Sequence, residues 1–185
     1  LALMTTRGFR DILEMGTEQR YDIHDLFLEF PDPLVPRALR LEIDERMSRD
    51  GDVLTALDLD QVRCQAAKLV AAGVEAIAVC FLHAYKNPAH EQAVRDLLGD
   101  AHPEIAVSLS SDVQPELREY ERASTTTANA YVQPLMQRYV DRLVEAFAEH
   151  VWVSPYYEDD IVGLRDAIGT DHVLFGSDYP HGEGL

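Results

Sequence analysis

VEAIAVCFL, residues 74–82, is apolar on both faces once Glu75 is passed. A strand with one face in water alternates apolar and polar residues, whereas a strand covered on both sides does not. The run therefore predicts a central strand with helices above and below it. Upstream, Asp58 offers an N-cap with Gln61 as its capping-box partner. Val62, Ala66, Leu69 and Val70 then share one helical face, and Gly73 supplies the stop. Downstream, Asn87-Pro88 starts a second helix, with Asn as cap and Pro in the first turn, ending at Gly99. EIAVSLS, residues 104–110, is the next strand. Helix, strand, helix, strand at this spacing implies a parallel pair joined by a crossover.

Toward the N-terminus, LALMTT (1–6) reads as a short buried strand broken by Gly8, and FRDILEMG as a short helix stopped by Gly16. YDIHDLFLEF (21–30) predicts a further helical turn or two, and the three prolines of PDPLVPR (31–37) require extended loop. Leu39, Leu41 and Ile43 alternate with Arg40, Glu42 and Asp44, the period of a half-buried strand. Asp50-Gly51 predicts a tight primed turn, so strands at about 38–47 and 53–56 form a hairpin. Toward the C-terminus, the segment from Pro115 to His150 reads as one long helix. Thr125-Thr126-Thr127 and Pro134 interrupt it, with a kink or break near residue 133. Residues 149–185 predict strand, helix and strand, and carry eight acids against one base, Arg165.

The chain has 185 residues, 46% hydrophobic and 26% charged, an ordinary globular composition for one or two domains. It holds 16 Lys+Arg against 33 Asp+Glu, a net charge of -17, which argues against nucleic acid and anionic membranes as partners. No apolar run reaches the roughly 18 residues of a membrane span. The opening LALMTTRGFRD is too short in its apolar part for a signal peptide, and its arginines follow that part. Cys64 and Cys80 predict a reduced, cytoplasmic protein with two core thiols.

Four stretches carry a resemblance: TTRGFRDILEMG, EFPDPLVPR, VEAIAVCFLHAYKNPAHE and SSDVQPELREYERASTTTANAYVQP. In this order they resemble the N-terminal region of the hydantoinase A / 5-oxoprolinase family, over about residues 1–146. The resemblance implies an α/β fold of the actin-like, sugar-kinase-like ATPase kind, here a hairpin, a βαβ core and a long helix. It implies a hydrolase that opens a cyclic amide, a hydantoin or 5-oxoproline. ATP and Mg serve the intact family, because phosphorylating an amide oxygen turns a poor electrophile into a good one. A hydantoinase B-type subunit is the implied partner, and a small cyclic amide the implied substrate. The family's Gly-rich phosphate loop has no counterpart in this chain. The tail, about 149–185, is similar instead to the C-terminal part of a metal-dependent amidohydrolase of the aminocarboxymuconate-semialdehyde decarboxylase group, a TIM barrel. That resemblance implies a divalent metal held by Asp178, with His181 beside it. No His-x-His, the family's other ligand motif, occurs in this sequence. The two resemblances together imply a truncated or chimeric chain with a junction near residue 147, inactive alone. The alternatives are a metal-dependent amidohydrolase carried by the tail and a non-catalytic fragment that associates with a partner subunit.

The residues themselves fix no catalytic group and no cofactor. Arg7 and Arg10 flank Gly8 and form a candidate cradle for a phosphate or carboxylate; the alternative is ion pairing with Asp11 and Glu14. Arg118 and Arg122 are further substrate or phosphate candidates, although Glu116, Glu119 and Glu121 around them fit a solvated helical face. His83 ends the buried strand and His90 begins the next helix, so they are candidates for a shared site. Asp178 and His181 supply at most two metal ligands where a catalytic metal usually takes three. No Ser-His-Asp order, Walker loop or zinc-spaced cysteine pair is present.

Overall fold

The β-strand spanning Ala2–Thr6 (β1) is buried at every position, as the apolar opening run requires. In the computed structural model, which describes residues 1–17, 22, 24–154 and 160–174, it lies inside a four-stranded parallel sheet. After β1 the chain turns through Gly8, at φ +93°, and forms one turn of helix, α1 (Ile12–Met15). The described residues between 22 and 30 hold turns and no helix. There the side chains of Asp22 and Asp25 take the amides of His24 and Phe27, an alternative to helical bonding that aspartate favours.

The alternating segment 38–47 does not form one hairpin arm. Its first half, β2 (Arg40–Ile43), pairs parallel with β1, and only β3 (Arg46–Met47) pairs antiparallel with β4 (Val53–Thr55). The chain is divided at Asp44, whose amide donates to Gln61 Oε1 at 2.6 Å. The hairpin turn is longer than a two-residue turn. Ser48 N–H donates to Asp52 O at 2.8 Å, and Gly51 takes the left-handed position at φ +95°. Arg40, expected on the wet side, is 1% exposed, because its Nε–H donates to Val35 O at 2.9 Å.

Helix α2 (Leu59–Ala71) is capped by Asp58, which accepts from Gln61 N at 2.9 Å. The reciprocal half of the capping box is absent, since the Gln61 side chain is spent on Asp44. Strand β5 (Ala76–Cys80) is fully buried at the sheet centre. Helix α3 (Ala89–Ala101) runs through Gly99, two residues past the expected stop, and β6 (Ala106–Leu109) closes the parallel order β2-β1-β5-β6. A turn of helix, α4 (Ser110–Val113), leads to the long helix α5 (Glu119–His150). The expected break near residue 133 is absent: α5 is continuous across Pro134. A proline in a helix removes one backbone bond, and the turns on either side keep theirs. The threonines are accommodated by back-bonding, with Thr126 Oγ1 donating to Arg122 O at 2.7 Å.

Two apolar layers sandwich the sheet. Met4, Ile77, Val79 and Phe81 pack with Val62, Leu69, Val94 and Leu98 on the α2–α3 side. Leu3, Ala76, Ala78 and Cys80 pack with Ala123 and Ala130 of α5 on the other. The second layer mixes the small side chains of Ala76, Ala78, Ala123 and Ala130 with Leu3 and Val35. Leu1–Leu135 is one compact unit and Met136–Leu185 a second. In the second, α6 (Ile161–Ile168) is capped by Asp160, which accepts from Gly163 N at 2.7 Å. A single parallel bridge joins Val153 to Val173, so the expected strands are reduced to one rung among the described residues. No helix among the described residues is long and apolar enough to cross a membrane.

The small-residue layer has a measurable consequence. Ala78→Leu, aimed at α5, is expected to cost about 1–3 kcal/mol by overpacking. Ile77→Val on the opposite face should cost only about 0.5–1.5 kcal/mol. Urea unfolding of both variants checks the order; an Ala78→Leu chain as stable as wild type would show room that a close helix does not leave.

Candidate functional site at the carboxyl edge of the sheet

Chain order within the sheet reverses between β1 and β5: β2 lies to one side of β1, and β5 with β6 to the other. In open parallel sheets such a switch point, at the carboxyl ends of the strands, is where ligands dock. Here the gap is stitched shut by hydroxyl groups. Thr5 Oγ1 donates to Cys80 O at 3.0 Å, and Thr6 Oγ1 accepts from Leu82 N at 2.8 Å. Thr6 also donates to Glu45 Oε1, and the other Glu45 oxygen lies 2.8 Å from His90 Nδ1. The Glu45 side chain has no exposure and that of His90 only 11%. A hydroxyl, a carboxylate and an imidazole thus form one buried relay beside the switch point.

The end of β5 is gripped from both helical layers. From α3, Glu91 accepts from Phe81 N (2.8 Å), Ser110 Oγ (2.6 Å) and Ser111 N (2.8 Å). From α5, Arg122 Nη2 donates to Phe81 O at 2.8 Å. Burial raises the Glu91 carboxyl above its ordinary value, against the pull of Ser110 and of the Phe81 and Ser111 amides. Burial also pushes the Cys80 thiol up to about 12, so it is an inert core group. Cys64 is exposed, which corrects the expectation of two core thiols.

Arg122 is 1% exposed, yet its Nε and Nη1 have no hydrogen-bond partner. Among the described residues no carboxylate pairs with it. Its guanidinium stands 5.6 Å from the Tyr85 ring centroid, and Lys86 Nζ 5.9 Å from the same ring. His83 meets that ring edge-on at 6.0 Å, its Nδ1 buried without a partner and its backbone left-handed at φ +59°. Cation–π contact contributes about 0.5–2 kcal/mol. A buried charge stripped of its partner costs roughly 3–5 kcal/mol. The ring alone does not balance the guanidinium.

The other expected candidates are engaged elsewhere. Arg7 pairs with Asp44 at 2.6 Å, not with Asp11 or Glu14, and is 65% exposed. Arg10 donates to Arg37 O, and the Gly8 amide to Glu42 Oε1 at 2.7 Å. The bonds of Arg7, Arg10 and the Gly8 amide are thus made within the chain. Arg118 is exposed and pairs with Glu121 at 3.2 Å. No hydrogen bond or ring contact joins His83 to His90 among the described residues; each has its own partners. Thr125 is exposed, and Thr127 is buried with its hydroxyl unpartnered. Asp178 and His181 lie outside the described residues. Among the described residues no three His, Cys, Asp or Glu side chains converge as metal ligands. Glu45, Glu91 and Tyr85 were not anticipated. One signal was available for Glu91: it stands in the apolar stripe of its helix with Val94 and Leu98.

A parallel sheet with helices packed on both faces defines an α/β protein. The particular family follows from comparison. The family profile described as hydantoinase/oxoprolinase N-terminal region matches residues 1–101, and the chain belongs to that family. It is 35% identical over 97% of its length to MJ0964 of Methanocaldococcus jannaschii, an uncharacterized protein, covering 26% of it. It is 34% identical over 80% of its length to caprolactamase subunit alpha of Pseudomonas jessenii, covering 22%. The crystal structure of that organism's ATP-dependent caprolactamase superposes with a TM-score of 0.72 at 30% identity, over 95% of this chain and 23% of the other. The nucleotide-free structure of acetone carboxylase gives 0.63 at 33% identity, over 70% and 20%. This chain thus spans about a quarter of the length of these proteins. The match to MJ0964 runs through residue 147, and the amidohydrolase resemblance of residues 149–185 gains no support from these comparisons.

Glu91→Gln tests the grip on β5. The amide NH2 opposes an N–H or O–H donor, and the variant is expected to lose about 1–3 kcal/mol. A carboxyl raised on folding contributes stability that is full below its ordinary 4.5 and falls as pH climbs through the raised value. The wild-type advantage over Glu91→Gln should therefore narrow as pH rises. Urea titrations of both chains from about pH 4 to about pH 8 read this out, and a widening gap would contradict the assignment.

Proposed function

We propose that this chain supplies the N-terminal part of a cyclic-amide hydrolase of the hydantoinase/5-oxoprolinase type. In the intact protein the reaction is coupled to ATP. The C–N bond of a lactam or hydantoin ring is broken, water supplies the hydroxyl on the carbonyl carbon, and the ring nitrogen leaves as an amine. One observation carries the reading. The segments after three strands, TTRGFRD, HAYKNPAHE and SSDVQPELREYER, all leave from the carboxyl edge of one sheet, where α/β enzymes work. Gly16, five residues past the first, lies against Tyr120 of the third: a Cβ at Gly16 would sit 3.7 Å from Tyr120 Cζ. The sheet with helices on both faces suits one half of an actin-like ATPase. On this reading the triphosphate is held by other parts of the intact protein.

A hybrid tests the reading. Leu1–Leu135 replaces the corresponding region of caprolactamase subunit alpha, assembled with its other subunits. ATP hydrolysis that depends on caprolactam or 5-oxoproline is the expected result. A hybrid with native circular dichroism and normal assembly, but no lactam-dependent hydrolysis, would sink the proposal.

A second reading, association with a hydantoinase B-type subunit, draws on α5. Leu135, Met136, Tyr139, Leu143 and Phe147 recur at helical spacing and are all exposed. Mixed with such a subunit, the chain should elute at the summed mass in size exclusion, and Leu143→Glu should abolish the shift. Separate elution of the wild-type pair counts against association.

A further inference from the structure

We propose that Arg122, His83 and Lys86, gathered on the Tyr85 ring where the chain leaves β5, form a site for a small oxyanion, a carboxylate or a phosphate group. The proposal rests on reading the carboxyl edge of the sheet as the working edge. The chain carries -17 net charge, yet three basic side chains meet at one ring, and no carboxylate pairs with any of them among the described residues. Arg122 is fixed by its bond to Phe81 O, which leaves the Nε and Nη1 donors free. Nε and Nη1 lie on either side of Nη2, so each can give one charge-assisted bond to an oxygen of a carboxylate or phosphate. His83 adds an unpartnered Nδ1, held by a backbone conformation that a non-glycine residue adopts at a cost. Lys86 is exposed and Tyr85 half-buried, so the cluster faces solvent on their side. Shielding of the Arg122 donors from bulk water strengthens any charged bond formed there. The other arginines of the edge do not compete, since Arg7 and Arg118 hold carboxylates of their own.

The test titrates the full chain with sodium phosphate, sodium acetate or sodium chloride at one ionic strength, following thermal unfolding and, for phosphate, the 31P line width. Phosphate or acetate is expected to raise Tm by roughly 2–5 °C over chloride. The arm that does so names the source of the oxyanion. Arg122→Met should weaken binding about tenfold or more, the loss of a charge-assisted bond. Lys86→Ala, at an exposed site that folding does not need, should weaken it about threefold to fivefold. The proposal fails if neither anion exceeds chloride, or if Lys86→Ala and Arg122→Met bind phosphate as wild type does. Should Arg122→Met not fold, the wild-type and Lys86→Ala titrations decide alone. Anion binding without lactam-dependent turnover in the hybrid would remove the hydrolase reading and leave the site. Turnover without anion binding would remove the site only.

Discussion

The carboxylate of Glu91 is the group on which the working edge depends. It is 1% exposed and accepts three hydrogen bonds from the end of β5 and the start of α4. Ionised, it is an acceptor only, and it meets donors only; burial opposes the charge while the donors favour it. Opposite it, across β5, stands Arg122. Residue Phe81 gives its N–H to one and its carbonyl to the other. A buried acid on one face and a buried base on the other thus hold the same residue. The exit of the strand is fixed in two directions, two residues before His83 takes its left-handed conformation.

This arrangement decides where on the edge chemistry can occur. The usual docking place, the switch point between β1 and β5, is filled by Thr5 and Thr6 and by the Glu45–His90 pair. Every polar atom of that stitch named here has a partner, so it has little left to offer a ligand. Among the described residues the unpartnered buried side-chain atoms lie on Arg122, His83, Thr127 and Ser111, with one more on Arg40 at the start of β2.

The layered fold was legible because it rests on patterns the sequence displays. VEAIAVCFL is apolar throughout and becomes the central strand, and Asp58 caps α2 as its position predicts. What could not be read is where long polar side chains go. Arg40 has the period of a wet residue and is buried, because a carbonyl five residues earlier takes its guanidinium. Gln61 has the position of a capping-box partner and is used on Asp44 instead. Gly99 and Pro134 look like stops, but local propensity is worth about 1 kcal/mol for glycine and about 3 for proline, and helical bonding on either side outweighs it. Among the arginines, Arg7, Arg10, Arg118 and Arg122 looked alike in sequence. Only tertiary contacts show that Arg122 alone of the four is buried with two of its nitrogens unpartnered.

The acidity of the chain bears on how an oxyanion would be bound. A net charge of -17 repels an approaching anion at long range, so electrostatic steering is not available to raise the association rate. At physiological salt that repulsion is screened beyond about 8 Å. Inside that distance the local set of Arg122, Lys86 and His83 dominates, and the guanidinium acts where water is excluded. Recognition would then come from short, directional bonds and not from charge collected over the surface. Such a site discriminates by geometry, favouring a planar carboxylate or a tetrahedral phosphate presented at one angle. An enzyme that must orient a single ring for attack gains more from that than from a general attraction to anions.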